Sequence, residues 1–147
     1  MFWKTTDGGR SWTEIKGGGF PATTKGRMNI NIAPSDPNIV YVMVEADSVR
    51  GAKPQMLLSG LYRSADAGKT WKKLGLADSQ MIAAIAVDAK DPNRFFVAVL
   101  GHPYGPNTER GIYRSTDGGA TLTKVLYKDE YTSGNDVHID PSDPNTV

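Results

Sequence analysis

The chain has 147 residues, 39% of them hydrophobic and 22% charged, with 16 glycines and a formal net charge of +1. That composition belongs to a globular, turn-rich protein, and the near-neutral balance with scattered basic residues argues against a nucleic-acid or anionic-membrane partner. Without cysteine, neither a disulfide framework nor a thiolate metal site can form, and the longest apolar run, 81–87, falls well short of a membrane span.

Residues 1–16 read as the last two strands of a sheet, joined through Thr5-Thr6-Asp7-Gly8-Gly9-Arg10-Ser11-Trp12. The opening Met1-Phe2-Trp3-Lys4 carries neither the basic segment nor the long apolar stretch of a signal peptide. After a glycine loop, residues 27–32 alternate with a period of two, as a strand with one buried face should. A turn around Asp36-Pro37-Asn38 leads into 39–44, apolar on both faces and therefore a central strand. A polar excursion over 46–59 returns at Gly60-Leu61-Tyr62 and enters a second copy of the first motif, Ser64-Ala65-Asp66-Ala67-Gly68-Lys69-Thr70-Trp71.

Ser79 offers a helix cap ahead of the Ala- and Met-rich stretch 80–87, but register decides for a strand. Asp-Pro-Asn recurs at Asp36, Asp91 and Asp143, at intervals of 55 and 52 residues. Ser/Thr-x-Asp-x-Gly-x-x-Trp recurs at Asp7, Asp66 and Asp117, at intervals of 59 and 51. Two motifs interleaved in constant order with one period mark a four-stranded unit per repeat. The expected organisation is therefore 27–75 and 80–127 as full units and 136–147 as the start of a further one, with 136–140 an innermost strand.

In each copy of the second motif the Asp carboxylate accepts backbone N–H groups across a hairpin corner, the Gly takes a positive φ, and the Trp tucks beneath. Ser64, Asp66, Gly68 and Trp71, with Asp7, Gly9, Trp12, Ser115, Asp117 and Gly119, are on this reading structural. The third copy places Leu122 where Trp12 and Trp71 stand, which predicts weaker packing at that corner.

The pattern resembles the Asp-box, or bacterial neuraminidase repeat, of β-propellers. The resemblance implies an all-β fold, a partial β-propeller of about two and three-quarter four-stranded antiparallel blades with Asp-box hairpins. The runs Phe2-Trp3-Lys4-Thr5-Thr6-Asp7-Gly8-Gly9, Gly101 through Asn107 to Gly119, and Val125-Leu126-Tyr127-Lys128-Asp129-Glu130 are similar to sortilin-type bacterial propeller proteins. What that implies is an exported protein- or carbohydrate-binding scaffold, with a segment of an exported propeller-type glycoside hydrolase, sialidase- or xyloglucanase-like, as the alternative. A ring of four to eight blades would have the further blades of a longer chain, or self-association, as its partner.

No catalytic constellation is legible, because the turn aspartates are engaged and Glu45, Asp47 and the Asp129-Glu130 pair do not form a recognisable acid–base pair. The two histidines, His102 and His138, lack a placeable third metal ligand, so no metal and no cofactor is expected. The loops 46–59, 101–108 and 128–135 are where a ligand would dock, with Tyr104, His102, Tyr131 and Arg50 as candidate binding residues.

Overall fold

A computed structural model describes residues 2–46 and 58–147. Its ten strands, all antiparallel, form a two-stranded hairpin and two four-stranded sheets. The hairpin pairs β1 (Trp3–Lys4) with β2 (Thr13–Glu14). The first sheet runs β3 (Lys25–Ile32), β4 (Val40–Ala46), β5 (Gly60–Ser64), β6 (Lys72–Gly75), in that spatial order. The second repeats it with β7 (Ile82–Val87), β8 (Phe95–Val99), β9 (Gly111–Ser115) and β10 (Thr123–Leu126). Each sheet is a simple meander, which is the architecture of a propeller blade.

Burial follows the two-residue period of the strand. In β4, Tyr41 and Met43 join the core between the two sheets, while Val40, Val42 and Val44 join the core toward the β1–β2 hairpin. A blade covered on both faces explains why this strand reads as a continuous apolar run. Tyr41 and Phe95 meet across the inter-sheet core with ring centroids 4.4 Å apart. The other core closes on Trp71, whose ring lies 5.7 Å from Phe2 and 5.0 Å from Phe20.

Polar ties set the alignment of one blade on the next. Asn29 and Asn31 in β3 donate to the carbonyls of Ala83 and Ile85 in β7, at 2.9 and 2.8 Å. The Tyr41 hydroxyl donates to Pro92 O at 2.8 Å, and Arg63 Nη2 donates to Asn93 Oδ1 at 3.1 Å. The Pro-Asn turn of one blade is thus held by the side chains of the blade before it. Arg94 does the same for the last such turn, donating to Pro144 O and to Asn145 Oδ1.

Two expectations need correction. Residues 136–140 do not form a strand: Val137 and Ile139 pack against Phe96, Ala98 and Ile112 as an innermost strand would, but no described strand pairs with them. A strand is defined by its ladder, and packing one face does not supply one. Trp12 is not tucked beneath its corner either. It is 57% exposed where Trp71 is 7% exposed, although each indole donates to the motif glycine's carbonyl in the same way, Trp12 to Gly9 O at 3.1 Å and Trp71 to Gly68 O at 3.0 Å. Leu122, at the same position of the third copy, is partly buried beside the inter-sheet core. What buries this position is the neighbouring blade, not the turn itself.

Candidate functional site

The meander sends the Asp-Gly turns and the Asp-Pro-Asn turns to one end of each blade, where Ala67 N donates to Asn38 O at 2.9 Å and Gly118 N to Asn93 O at 3.0 Å. At this end the carboxylates are committed. Asp66 Oδ1 accepts Lys69 N at 3.0 Å, Thr70 N at 2.8 Å and the Ser64 hydroxyl at 2.8 Å, and Oδ2 accepts the Thr70 hydroxyl at 2.6 Å. The Ser64 oxygen in turn accepts Gly68 N at 2.8 Å. Asp7 is held by Ser11 and Thr5, and Asp117 by Thr121 and Ser115, in the same geometry. Gly9 N and Gly119 N donate to the Thr5 and Ser115 hydroxyl oxygens.

These bonds lower the acids to about 2, led by the hydroxyl of Ser11 for Asp7, the hydroxyl of Thr70 for Asp66 and the backbone N–H of Thr121 for Asp117. Such carboxylates stay ionised and saturated with donors, which suits a turn clasp and not proton transfer. Sequence reasoning missed the hydroxyl four residues after each Asp. Its signal was present, since Ser11, Thr70 and Thr121 occupy one position of the repeat.

The opposite end carries the β6–β7 and β8–β9 loops and the segment after β10. Tyr104 is 91% exposed and Tyr131 73% exposed. Arg50 and Asp47, with most of the 46–59 loop, lie outside the described residues. Buried Arg110 fastens what surrounds the tyrosines: its guanidinium donates to Leu100 O, to the Ser133 hydroxyl, to His102 O at 2.8 Å and to Gly105 O at 3.1 Å. Asn107 N donates to Glu130 O at 2.9 Å, so the Tyr104 and Tyr131 loops are joined to each other. Gly101, at φ 77°, is required here, because a Cβ would stand 2.7 Å from Arg110 Cγ and 2.9 Å from Asn107 Oδ1.

A polar cluster lies between the blades at the same end. Glu109 Oε2 accepts Asp78 N at 3.1 Å, Asn107 Nδ2 donates to Asp78 Oδ2 at 3.1 Å, and His102 Nε2 stands 3.2 Å from Asp78 Oδ1. The last approach has the distance of an ion pair without the angle of a hydrogen bond. Burial, then the Asp78 charge, pushes the Glu109 carboxyl above its ordinary value. Burial likewise raises the Tyr113 phenol to about 12 and lowers Lys73, against the pull of Glu109. Neither Asp78 nor Glu109 stood out in the sequence, since nothing local marks two carboxylates that converge from separate loops.

The remaining candidates do not join this cluster. Glu45 Oε2 accepts Arg27 N at 3.1 Å, and Asp129 Oδ1 accepts Tyr131 N and Thr132 N at 2.9 and 2.7 Å. His138 is exposed and lies 3.1 Å from Asp136. Among the described residues, no group of three or more His, Asp or Glu is placed to hold a metal ion, and no helix is long and apolar enough to cross a membrane. At the β1–β2 end, an open apolar groove is lined by Phe2, Trp12, Ile30, Ile32, Val40 and Trp71.

No protein-family model matches the chain. Over 71 residues, 46% of the chain, it is 35% identical to a probable oligoxyloglucan-reducing end-specific xyloglucanase of Neosartorya fischeri, of which the match spans 8%. A crystal structure of an ancestral GH74 enzyme superimposes on 97% of the chain with a TM-score of 0.65 and 19% identity, the match spanning 18% of that chain. The chain therefore spans under a fifth of the proteins it resembles, and the likeness to the solved structure is one of fold.

Proposed function

We propose that this chain forms part of the substrate-handling surface of an exported, propeller-type glycoside hydrolase acting on xyloglucan-like oligosaccharides. The reading is carried by the 35% identity over 71 residues with the xyloglucanase. It has further support from the loop end, where Tyr104 and Tyr131 offer exposed rings to sugar faces. Their loops are already fastened through Arg110 and Asn107, which lowers the ordering cost of binding. The contribution assigned to the chain is binding rather than bond cleavage, since the carboxylates of Asp7, Asp66 and Asp117 are held in turns.

Titration of the isotope-labelled chain with xyloglucan oligosaccharides should shift the amides of 101–108 and 128–135, and Tyr104→Ala or Tyr131→Ala should weaken binding about three- to tenfold. Unmoved amides with every oligosaccharide would sink the proposal. Hydrolysis by the purified chain that is lost on Asp129→Asn or Glu45→Gln would overturn the binding-only role.

The alternative is a protein-binding scaffold of sortilin type, with the three clasped turns as Asp-boxes. It is favoured by the run from Gly101 to Gly119 and by the shared geometry at Asp7, Asp66 and Asp117. Peptide-induced shifts in the same loops, with sugars inert, would decide for it.

A further inference from the structure

We propose that Asp78 and Glu109, with His102 beside them, form an acid-tightened latch between the connection that joins the two blades and the loop that carries Tyr104, holding that loop more firmly in mildly acidic than in neutral solution. The latch joins the β6–β7 loop to the β8–β9 loop across 31 residues of sequence, through Glu109 and Asp78 N. Asn107 closes it from the other side, donating to both the Asp78 carboxylate and Asp78 O and accepting Glu109 N. The loop it grips begins at Gly101 and carries His102 and Tyr104. Fixing residues 107–109 against Asp78 therefore restrains the backbone on which Tyr104 projects.

Protonation of Glu109 acts on this junction. With both carboxylates ionised, Asp78 and Glu109 repel across the junction that the Asp78 N–H and the Asn107 amide hold together. A proton on Glu109 removes that repulsion, so that Asp78 keeps its place beside Asn107 and 3.2 Å from His102 Nε2. The other charged or titratable neighbours are Lys73 of β6, which attracts ionised Glu109, Tyr113 of β9, Lys124 of β10, which donates to Thr108 O, and Arg110, whose guanidinium is spent on loop carbonyls and Ser133. Lys73 opposes the effect, but burial weakens its charged form. Glu109 is itself half-buried, and its raised folded value means that the stability it contributes is complete below the ordinary carboxyl value and lost as pH rises through the raised one.

Hydrogen exchange tests this without any ligand. Amide exchange over 101–110, divided by intrinsic rates and referenced to the β8 amides, is followed from about pH 4 to about pH 8. Loop protection should rise roughly two- to fivefold on acidification, the scale expected of partly exposed charge pairs. Glu109→Gln should hold the protection at the acidic value throughout. Should Glu109→Gln not fold, Asp78→Asn replaces it, because removing that charge abolishes the repulsion and should flatten the profile. A flat profile in the parent chain, or an unchanged slope in Glu109→Gln or Asp78→Asn, overturns the latch.

Discussion

Asp66 shows how one carboxylate can organise a corner and be chemically idle at once. Its two oxygens accept from Ser64, Lys69 and Thr70, and those donors prefer the ionised form, which is why the acid is held at about 2. The folded value lies below the ordinary one, so the stabilisation is present above the ordinary carboxyl range and fades as pH falls through the folded value. Thermal melts between pH 5 and about pH 2 should therefore show a falling midpoint, and Asp66→Asn should start lower and fall less. An equal acid slope in both proteins would remove the clasp from the argument. The indole five residues on behaves differently from copy to copy. Trp71→Ala, which empties a core site against Phe2 and Phe20, should cost about 3–5 kcal/mol, whereas Trp12→Ala at its exposed corner should cost under about 1 kcal/mol. Equal losses in urea melts would contradict the packing described.

Among the strands, the informative comparison is between β3 and β7, which occupy the same place in successive blades. Both present one apolar stripe, but β3 also carries Asn29 and Asn31, whose amides reach the β7 carbonyls. Each such bond should be worth about 0.5–1.5 kcal/mol. Asn31→Ala should accordingly destabilise the chain by that amount, and Asn31→Asp by more, since a carboxylate cannot donate to Ile85 O. Indifference of the denaturation midpoint to Asn31→Asp would show that apolar packing alone aligns the blades. The period-two alternation made the strands legible, and the Asp-Pro-Asn turns made their order legible. Residues 136–140 expose the limit of that reading. The alternation of Val137 and Ile139 predicts a buried face and finds one, yet a hydrogen-bond ladder depends on a second segment that no local pattern can supply.

At the scale of the whole molecule, the stacked blades leave apolar surface at the β1–β2 end. Ile30 is 44% exposed and Ile32 55%, while their counterparts in β7, Ile85 and Val87, are buried and partly buried against the preceding blade. Contiguous apolar surface of this kind favours association. Light scattering on the purified chain should report a mass above the monomer that falls with dilution, and Ile30→Lys combined with Ile32→Lys should shift it toward the monomer. A monodisperse monomer at high concentration would argue that the groove is tolerated in water. The sequence by itself determined what is periodic: antiparallel four-stranded units, their turns, and the aspartates that clasp them, because alternation and turn chemistry act over a few residues. The tertiary structure alone decided which equivalent residues differ in fate. Trp12 and Trp71 share a motif and a hydrogen bond but not a neighbour, and Asp78, His102 and Glu109 become one cluster only when the β6–β7 connection packs on the β8–β9 loop. Burial and charge proximity are properties of contacts between segments distant in sequence, and a linear pattern carries them only where the partner repeats as regularly as the pattern itself.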